Sequence, residues 1–146
     1  MPRVLISDKL SEAAVKVFKD HKIETSYMPG IEKDELLKII TEWVSRSHWV
    51  DFLSENIDTV SNTSICLKLI DSKIIKQPLE VKNNIEKYII TLLENESIAF
   101  DIGSYRSAPP GLRIWGGPTV ENEDIKRLLP CLDWAYHKII KKLKII

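Results

Sequence analysis

The chain has 146 residues, which is about one domain and enough to bury a hydrophobic core. Its composition, with 44% apolar and 29% charged residues, is typical of a globular protein. The formal net charge is zero, which excludes the strongly basic field that draws proteins to DNA or RNA. No nucleic-acid partner is therefore expected.

Cysteine content and hydropathy bear on the cellular compartment. Cys66 and Cys131 stand far apart and form no CxxC pair, so neither a zinc site nor a disulfide framework is indicated. The opening residues MPRVLISDKL lack the apolar run and cleavage site of a signal peptide. No stretch reaches the roughly 18 apolar residues of a membrane span. We expect a reduced cytoplasmic protein with no membrane partner.

The N-terminal part of the chain predicts alternating strands and helices. Val4 to Ser7 is a short extended run, and Ser11 is placed to cap the amphipathic helix that follows it. A second extended run, Lys22 to Tyr27, is followed by the turn signal Pro29-Gly30. From Ile31 to Trp43, apolar residues recur at helical spacing behind an acidic first turn. The predicted order is βαβα.

The composition changes near residues 41 to 50, where we place a domain junction. Beyond it, Ile65 to Ile70 alternates as a strand does, and Pro78 is placed to open a helix. We expect one face of that helix to pack on a sheet. This face carries Val81, Ile85, Tyr88, Ile89 and Leu92.

Two short strands and a long helix are predicted in the last third of the chain. Ile98 to Phe100 and Leu112 to Trp115 are the strands, and the helix extends from Asn122 to about Ile140. Pro130 lies inside this helix and is expected to kink it or divide it in two. The second half thus reads β-α-β-β-α, and the fold class of the whole chain is α/β (α+β).

A Pro/Gly-rich segment around the last predicted strand is unusual for this lysine-rich chain. Residues 104 to 121, here called the arginine segment, read SYRSAPPGLRIWGGPTVE and contain two of the five arginines, Arg106 and Arg113. Arginine presents a planar fork of donors that grips carboxylate or phosphate at two points. Two such forks suit a small, doubly anionic metabolite. The alternative is that both guanidinium groups pair with local acids such as Glu121 or Asp101.

Other patterns associated with catalysis are missing from the sequence. His21, His48 and His137 lie in unrelated contexts without HxxxH or HExxH spacing, so no metal site is predicted. There is no GxSxG, GxGxxG or P-loop motif. The four tryptophans are expected to anchor the core or an interface.

Four collinear runs carry a resemblance to a known enzyme family: WVDFLSEN, SNTSICLKLID, FDIGSYRSAPPGLRIWGGPTVE and LLPCLDWAY. Through them, residues 45 to 139 resemble the C-terminal small domain of phosphoserine aminotransferase of the alphaproteobacterial type, a pyridoxal-phosphate enzyme of serine biosynthesis. Residues 1 to 40 instead resemble the extreme N-terminus of D-3-phosphoglycerate dehydrogenase, the preceding enzyme of that pathway. The resemblance implies a βαβα segment over residues 1 to 44. Over residues 45 to 146 it implies the small α/β C-terminal domain of a fold-type I pyridoxal-phosphate aminotransferase.

The resemblance also implies roles for three residues of the arginine segment. Arg113, in GLR, matches the arginine that binds the substrate α-carboxylate, and Arg106, in YR, matches a residue that contacts the substrate phosphate. Tyr105 stands where better-known relatives carry a histidine, and its hydroxyl keeps a hydrogen-bond donor there. O-phosphoserine, or a related phosphorylated small molecule, is the ligand that this assignment implies.

Finally, the resemblance implies that catalysis is incomplete in this chain. In that family, the lysine that carries pyridoxal phosphate and the acid partner of its pyridine nitrogen belong to the large domain, which precedes the region matched here. We therefore expect no catalytic residue and no cofactor for this chain alone, and hence a remnant without transaminase activity.

Two alternatives to the remnant stay open. One is a subunit that works beside a separate polypeptide carrying the pyridoxal-phosphate domain. The other is a small binding module that holds a phosphorylated amino acid or keto acid through Arg106 and Arg113. Because the aminotransferase small domain normally rests against its large domain, self-association through an uncovered apolar face is also expected.

Overall fold

The computed structural model describes residues 3–6, 11–27, 33–105, 107–117 and 119–143. They form a mixed helix and strand fold with two compact units, Met1–Asp34 and Glu35–Ile146. The α/β class expected from the sequence is confirmed, whereas a functional boundary at residues 44/45 stays a prediction. Among the described residues, no helix is long and apolar enough to cross a membrane.

The first unit contains a βαβ motif. Strands β1 (Arg3–Ile6) and β2 (Glu24–Tyr27) pair in parallel, and helix α1 (Glu12–Asp20) lies between them in the chain. As predicted, the Ser11 hydroxyl caps α1 by accepting a hydrogen bond from an amide of its first turn. The turn predicted at Pro29-Gly30 lies outside the described residues.

The rest of the chain builds an antiparallel sheet and its covering helices. The sheet has three strands in the order β3-β4-β5. The elements in chain order are α2 (Lys33–Arg46), β3 (Val50–Phe52), a 3₁₀ turn (Ile57–Thr59), β4 (Ser64–Leu69), α3 (Ser72–Ile75), α4 (Leu79–Asn95), β5 (Gly111–Trp115) and α5 (Asn122–Lys142).

Two predictions for this part of the chain are wrong, and one of two alternatives for Pro130 is excluded. Ile98 to Phe100 is not a strand, because Ser97 and Asp101 on its two sides have left-handed φ angles of 56° and 53°, which no strand continues. Pro130 does not divide α5, which is continuous from Asn122 to Lys142, whereas a kink at Pro130 stays a prediction. Tyr88 does not join the buried face of α4 and is 44% exposed.

One face of the sheet builds the core. Ile65 and Leu67 of β4 are buried, and they pair across the sheet with Ile114 and Leu112 of β5, which are buried too. Because side chains alternate along a strand, the residues between them lie on the opposite face. The core face packs into one apolar cluster with buried residues of α2, α4 and α5.

Two tryptophans and one aspartate connect α2 and β3 to α5. Trp43 Nε1 donates a hydrogen bond to Asp133 Oδ2 at 2.9 Å, and Trp49 Nε1 donates to Asp133 Oδ1 at 2.7 Å. Trp49 is fully buried and stacks on Tyr136 with ring centroids 4.4 Å apart. These two tryptophans anchor the core as the sequence predicts.

A buried carboxylate lies beside this aromatic stack. Asp71 caps α3 by accepting a hydrogen bond from the Lys73 amide at 2.7 Å, and its second oxygen accepts one from the Tyr136 hydroxyl. Burial alone would raise the pKa of Asp71, but these two hydrogen bonds, together with the electrostatic effect of His48 and Lys73, leave the pKa below its usual value. Burial and the same hydrogen bond raise the pKa of Tyr136.

Tyr136→Phe should lower the free energy of unfolding at neutral pH by about 1–3 kcal/mol, because it leaves a buried carboxylate oxygen without its donor. The folded pKa of Asp71 lies below the unfolded value of 3.8, so this stabilisation is present above that value and is lost as pH falls through the folded pKa. Urea denaturation at pH 7 and pH 3 measures both effects. Tyr88→Phe, at an exposed tyrosine, is the matched control. An equal loss at both pH values would contradict this account.

Candidate anion-binding site

The arginine segment places Arg113 on the face of the sheet opposite the core. In the β4–β5 register, Arg113 lies across from Cys66 and Trp115 lies across from Ser64. Together with Lys68, these side chains form what we call the Arg113 face. Its polar residues contrast with the apolar core face of the same strands.

Gly111 determines where β5 begins, two residues before Arg113. A Cβ atom at this position would lie 1.9 Å from the Leu67 carbonyl oxygen and 3.2 Å from Lys68 Cα. Both are backbone atoms of the neighbouring strand, so a larger residue would need a shift of β4 or β5. The glycine of GLR thus allows the close strand approach that positions the arginine.

Asp101 holds the guanidinium group of Arg113. Arg113 Nη2 donates to the Asp101 carboxylate Oδ2 at 2.7 Å and to the Asp101 carbonyl oxygen at 3.1 Å. This hydrogen bond raises the pKa of Arg113. The Arg113 side chain is 12% exposed, whereas the Asp101 side chain is 90% exposed. The sequence analysis named Glu121 and Asp101 as possible local partners of the arginines. The partner of Arg113 is Asp101.

Tyr105 covers the same guanidinium group. Arg113 Cζ lies 4.9 Å from the centroid of the Tyr105 ring, within the range of a cation–π contact. The Tyr105 hydroxyl lies 3.1 Å from Ser64 Oγ across the sheet. The ring is thus placed over the arginine and attached to β4.

The buried Nε donor of Arg113 has no acceptor among the residues that the structure describes. A buried unpaired donor costs about 1–3 kcal/mol. An unsatisfied buried group in a native structure requires an explanation, such as a water, an ion or a functional role.

Other contacts fix the loop that precedes β5 in the chain. Ser104 donates from its amide and its hydroxyl to Glu86 Oε1 of α4, at 3.1 and 2.5 Å. Gly103 forms a bridge with Leu112 along the outer edge of β5. Glu121, the second local acid considered for the arginines, instead takes part in a capping box at the start of α5. Arg106 lies outside the described residues.

Exposed aromatic side chains flank the site. Trp115 is 53% exposed, Tyr105 is 52% exposed and Phe100 is 70% exposed. Large apolar groups at these exposures favour contact with another protein surface. Self-association of the chain stays a prediction.

A groove of about 650 Å³ lies between the end of α2 and α5. Among its lining residues are His48 and His137, whose ring centroids are 5.8 Å apart. Sequence reasoning treated these histidines as unrelated, because no short-range spacing signals a contact between residues so distant in the chain. In the described part of the chain, no group of three or more potential metal ligands is found.

Comparison with known proteins identifies a relationship for most of the chain. The phosphoserine aminotransferase of Methanosarcina mazei is 40% identical to it over 103 residues. The chain is similar to phosphoserine aminotransferases. That of Methanosarcina barkeri is 41% identical over 105 residues. The aminotransferase resemblance is thus confirmed, whereas the dehydrogenase resemblance of residues 1 to 40 stays a prediction.

The match covers most of this chain but a much smaller share of each relative. It includes 70% of this chain but 25% of each phosphoserine aminotransferase, so the chain spans about a quarter of the length of these relatives. The matched part is a C-terminal fragment of the enzyme. No protein-family model and no solved structure matches the chain.

The groove does not fit pyridoxal phosphate, the cofactor that the aminotransferase resemblance implies. Covalent attachment of this cofactor needs a neutral lysine amine. The lysine among the groove's described lining residues is Lys126, whose Nζ lies 2.6 Å from Glu123 Oε1, and this hydrogen bond raises the pKa of Lys126. Of the groove's two described acids, Glu42 and Asp133, Asp133 already accepts two indole hydrogen bonds. No catalytic step through the cofactor is therefore assigned to this groove.

Proposed function

We propose that this chain is a serine-biosynthesis protein derived from phosphoserine aminotransferase that has no transaminase activity alone. The observation that carries the proposal is the state of Arg113. The residue that the resemblance assigns to the substrate α-carboxylate is held by the chain's own Asp101 carboxylate, 2.7 Å away. The charge that would orient a substrate carboxylate is thus already paired within the chain.

Two further observations support this proposal. The chain spans a quarter of the length of the aminotransferases it matches, and the resemblance assigns the cofactor lysine to the large domain of those enzymes. The groove beside α5 also lacks a suitable lysine among its described residues. A role derived from serine biosynthesis would place the chain in the cytoplasm.

The unpaired Nε of Arg113 favours a second candidate function. In this role the chain is a binding module or an accessory subunit that holds O-phosphoserine or a related keto acid. Arg113 binds the α-carboxylate, and Arg106 binds the phosphate. A separate polypeptide then supplies the pyridoxal-phosphate domain.

One experiment separates the two roles. The purified chain is titrated with O-phosphoserine in a calorimeter, with and without pyridoxal phosphate, and then incubated with 2-oxoglutarate while glutamate is assayed. An inactive remnant gives neither heat nor glutamate. A binding module gives saturable heat that is lost in Arg113→Ala, still without glutamate. Arg127→Ala, which removes an exposed arginine of α5, is the matched control.

The outcomes are distinguishable. Glutamate formation by the isolated chain at a rate above that of buffer would overturn the proposal that it is inactive alone. Heat that persists in Arg113→Ala, or that disappears equally in Arg127→Ala, would rule out a binding site built on Arg113.

A further inference from the structure

Arg113 already makes, through Nη2, part of the hydrogen bonding that a ligand carboxylate would make. Asp101 occupies Nη2 with a charged oxygen at 2.7 Å and with its own carbonyl oxygen at 3.1 Å. A carboxylate bound side-on to arginine uses Nη2 and Nε together. Asp101 makes half of that arrangement, since Nε keeps no acceptor among the described residues.

The Asp101 carboxylate is weakly held. Its side chain is 90% exposed, and exposed ion pairs are worth about 0–1 kcal/mol. The backbone of Asp101 is in the left-handed region, with φ 53°, which aspartate tolerates better than most residues but does not prefer. Both features make the Asp101 side chain easy to replace at Arg113.

The contacts that hold Tyr105 over Arg113 are also weak. Tyr105 is 52% exposed, and the hydrogen bond that its hydroxyl makes to Ser64 Oγ is 3.1 Å long and exposed. A cation–π contact at an exposed site contributes about 0.5–1 kcal/mol. A rotation of this one side chain would remove its ring from the guanidinium group.

We propose that Asp101 is an internal competitor for the carboxylate site of Arg113, and that Tyr105 is the cover that closes it. A ligand carboxylate replaces the Asp101 carboxylate at Nη2 and, once the Tyr105 ring turns away, also accepts from Nε. The unpaired Nε is then satisfied only in the bound state. This inference rests on the second candidate function, in which Arg113 binds a carboxylate.

The strength of this competition can be measured as a change in ligand affinity. A site closed by an internal contact binds its ligand more weakly in proportion to the closed fraction. If the Asp101 pair contributes up to about 1 kcal/mol, its removal should strengthen binding about fivefold. Asp101→Asn removes the charge and keeps both the size and the left-handed backbone, because asparagine tolerates that conformation equally well.

The test is calorimetric titration of O-phosphoserine into the intact chain and its variants. Asp101→Asn should lower Kd about fivefold. Asp58→Asn, at an exposed acid of the 3₁₀ turn, controls for the change in net charge and should leave Kd unchanged. Phosphoethanolamine, which lacks the α-carboxylate, should bind equally to the unaltered chain and to Asp101→Asn.

A second readout reports on the guanidinium group itself. With five arginines in the chain, the Arg113 Nε–H resonance can be assigned in a nitrogen-15 NMR spectrum by its loss in Arg113→Lys. Addition of O-phosphoserine should shift this resonance, and Tyr105→Ala should speed its exchange with water. If O-phosphoserine leaves this resonance unmoved, the ligand does not reach Arg113, whereas an unchanged exchange rate in Tyr105→Ala would show that Tyr105 does not cover the group.

The possible results distinguish the competition by Asp101 from the binding module on which it rests. The competition is supported if binding heat appears only in Asp101→Asn, or if Kd is about fivefold lower in Asp101→Asn than in the unaltered chain. Equal Kd values in Asp101→Asn, Asp58→Asn and the unaltered chain would overturn it while leaving the binding module intact. If no variant gives heat and the Arg113 resonance does not move, then both the binding module and the competition fail.

Discussion

Trp49→Ala is expected to lower the free energy of unfolding by about 3–5 kcal/mol, the range for large aromatic residues removed from a core. Trp49 is fully buried and lies 4.4 Å from Tyr136 and 5.8 Å from Trp43, centroid to centroid. Its removal leaves a cavity and deprives Asp133 of one of two indole donors. Urea denaturation followed by far-ultraviolet circular dichroism measures the loss without relying on tryptophan fluorescence.

Trp134→Ala is the matched control for this substitution. Trp134 also lies beside the aromatic cluster in sequence, but it is 40% exposed and its ring contacts Lys138, with Nζ 4.5 Å from the ring centroid. The expected loss is about 1 kcal/mol or less. Equal losses for the two substitutions would show that the stack on Tyr136 is not a main source of stability.

Gly111→Ala is expected to cost about 3 kcal/mol or more, because the added methyl group meets backbone rather than a movable side chain. The Leu67 carbonyl oxygen would be 1.9 Å from the new Cβ. Separation of β4 from β5 would also move Arg113 relative to Asp101. Thermal unfolding measures the stability loss, and the Arg113 Nε–H resonance reports on the site.

Gly103→Ala provides the comparison. Its Cβ would lie 3.0 Å from Ile90 Cδ1, the flexible end of a side chain, so a small rotation relieves the contact. A loss of about 1 kcal/mol or less is expected. If Gly111→Ala were no more destabilising than Gly103→Ala, the close approach of β4 and β5 would not be required.

Short sequence patterns predicted the helices, caps and strands that depend mainly on neighbouring residues. The Ser11 cap, the extended run of β4 and the helix opened by Pro78 all appear where the sequence indicates. The three-residue strand β3 was missed because it is too short to show alternation and is defined by pairing with distant β4. Pro130 removes one backbone hydrogen bond from α5, but packing of that helix on the core preserves the rest.

The candidate site was predictable only in part. The close spacing of Asp101 and Arg113 along the chain made their pairing one of two open alternatives, and the geometry distinguishes them. The buried, unpaired Nε and the Tyr105 ring over the guanidinium group depend on tertiary packing, which no sequence pattern encodes. The meeting of His48 with His137 depends on the packing of α5 and has no local signal either.

The link from Trp49 to Asp133 spans 84 residues and affects the order of events during synthesis. A ribosome adds about 5–20 residues per second, so the partner of this indole is made roughly 4–17 seconds after the indole itself. During that interval the aromatic groups of α2 and β3 have no α5 to pack against. The nascent chain therefore exposes its largest apolar residues until α5 emerges, which makes this period the one in which chaperones would be needed most.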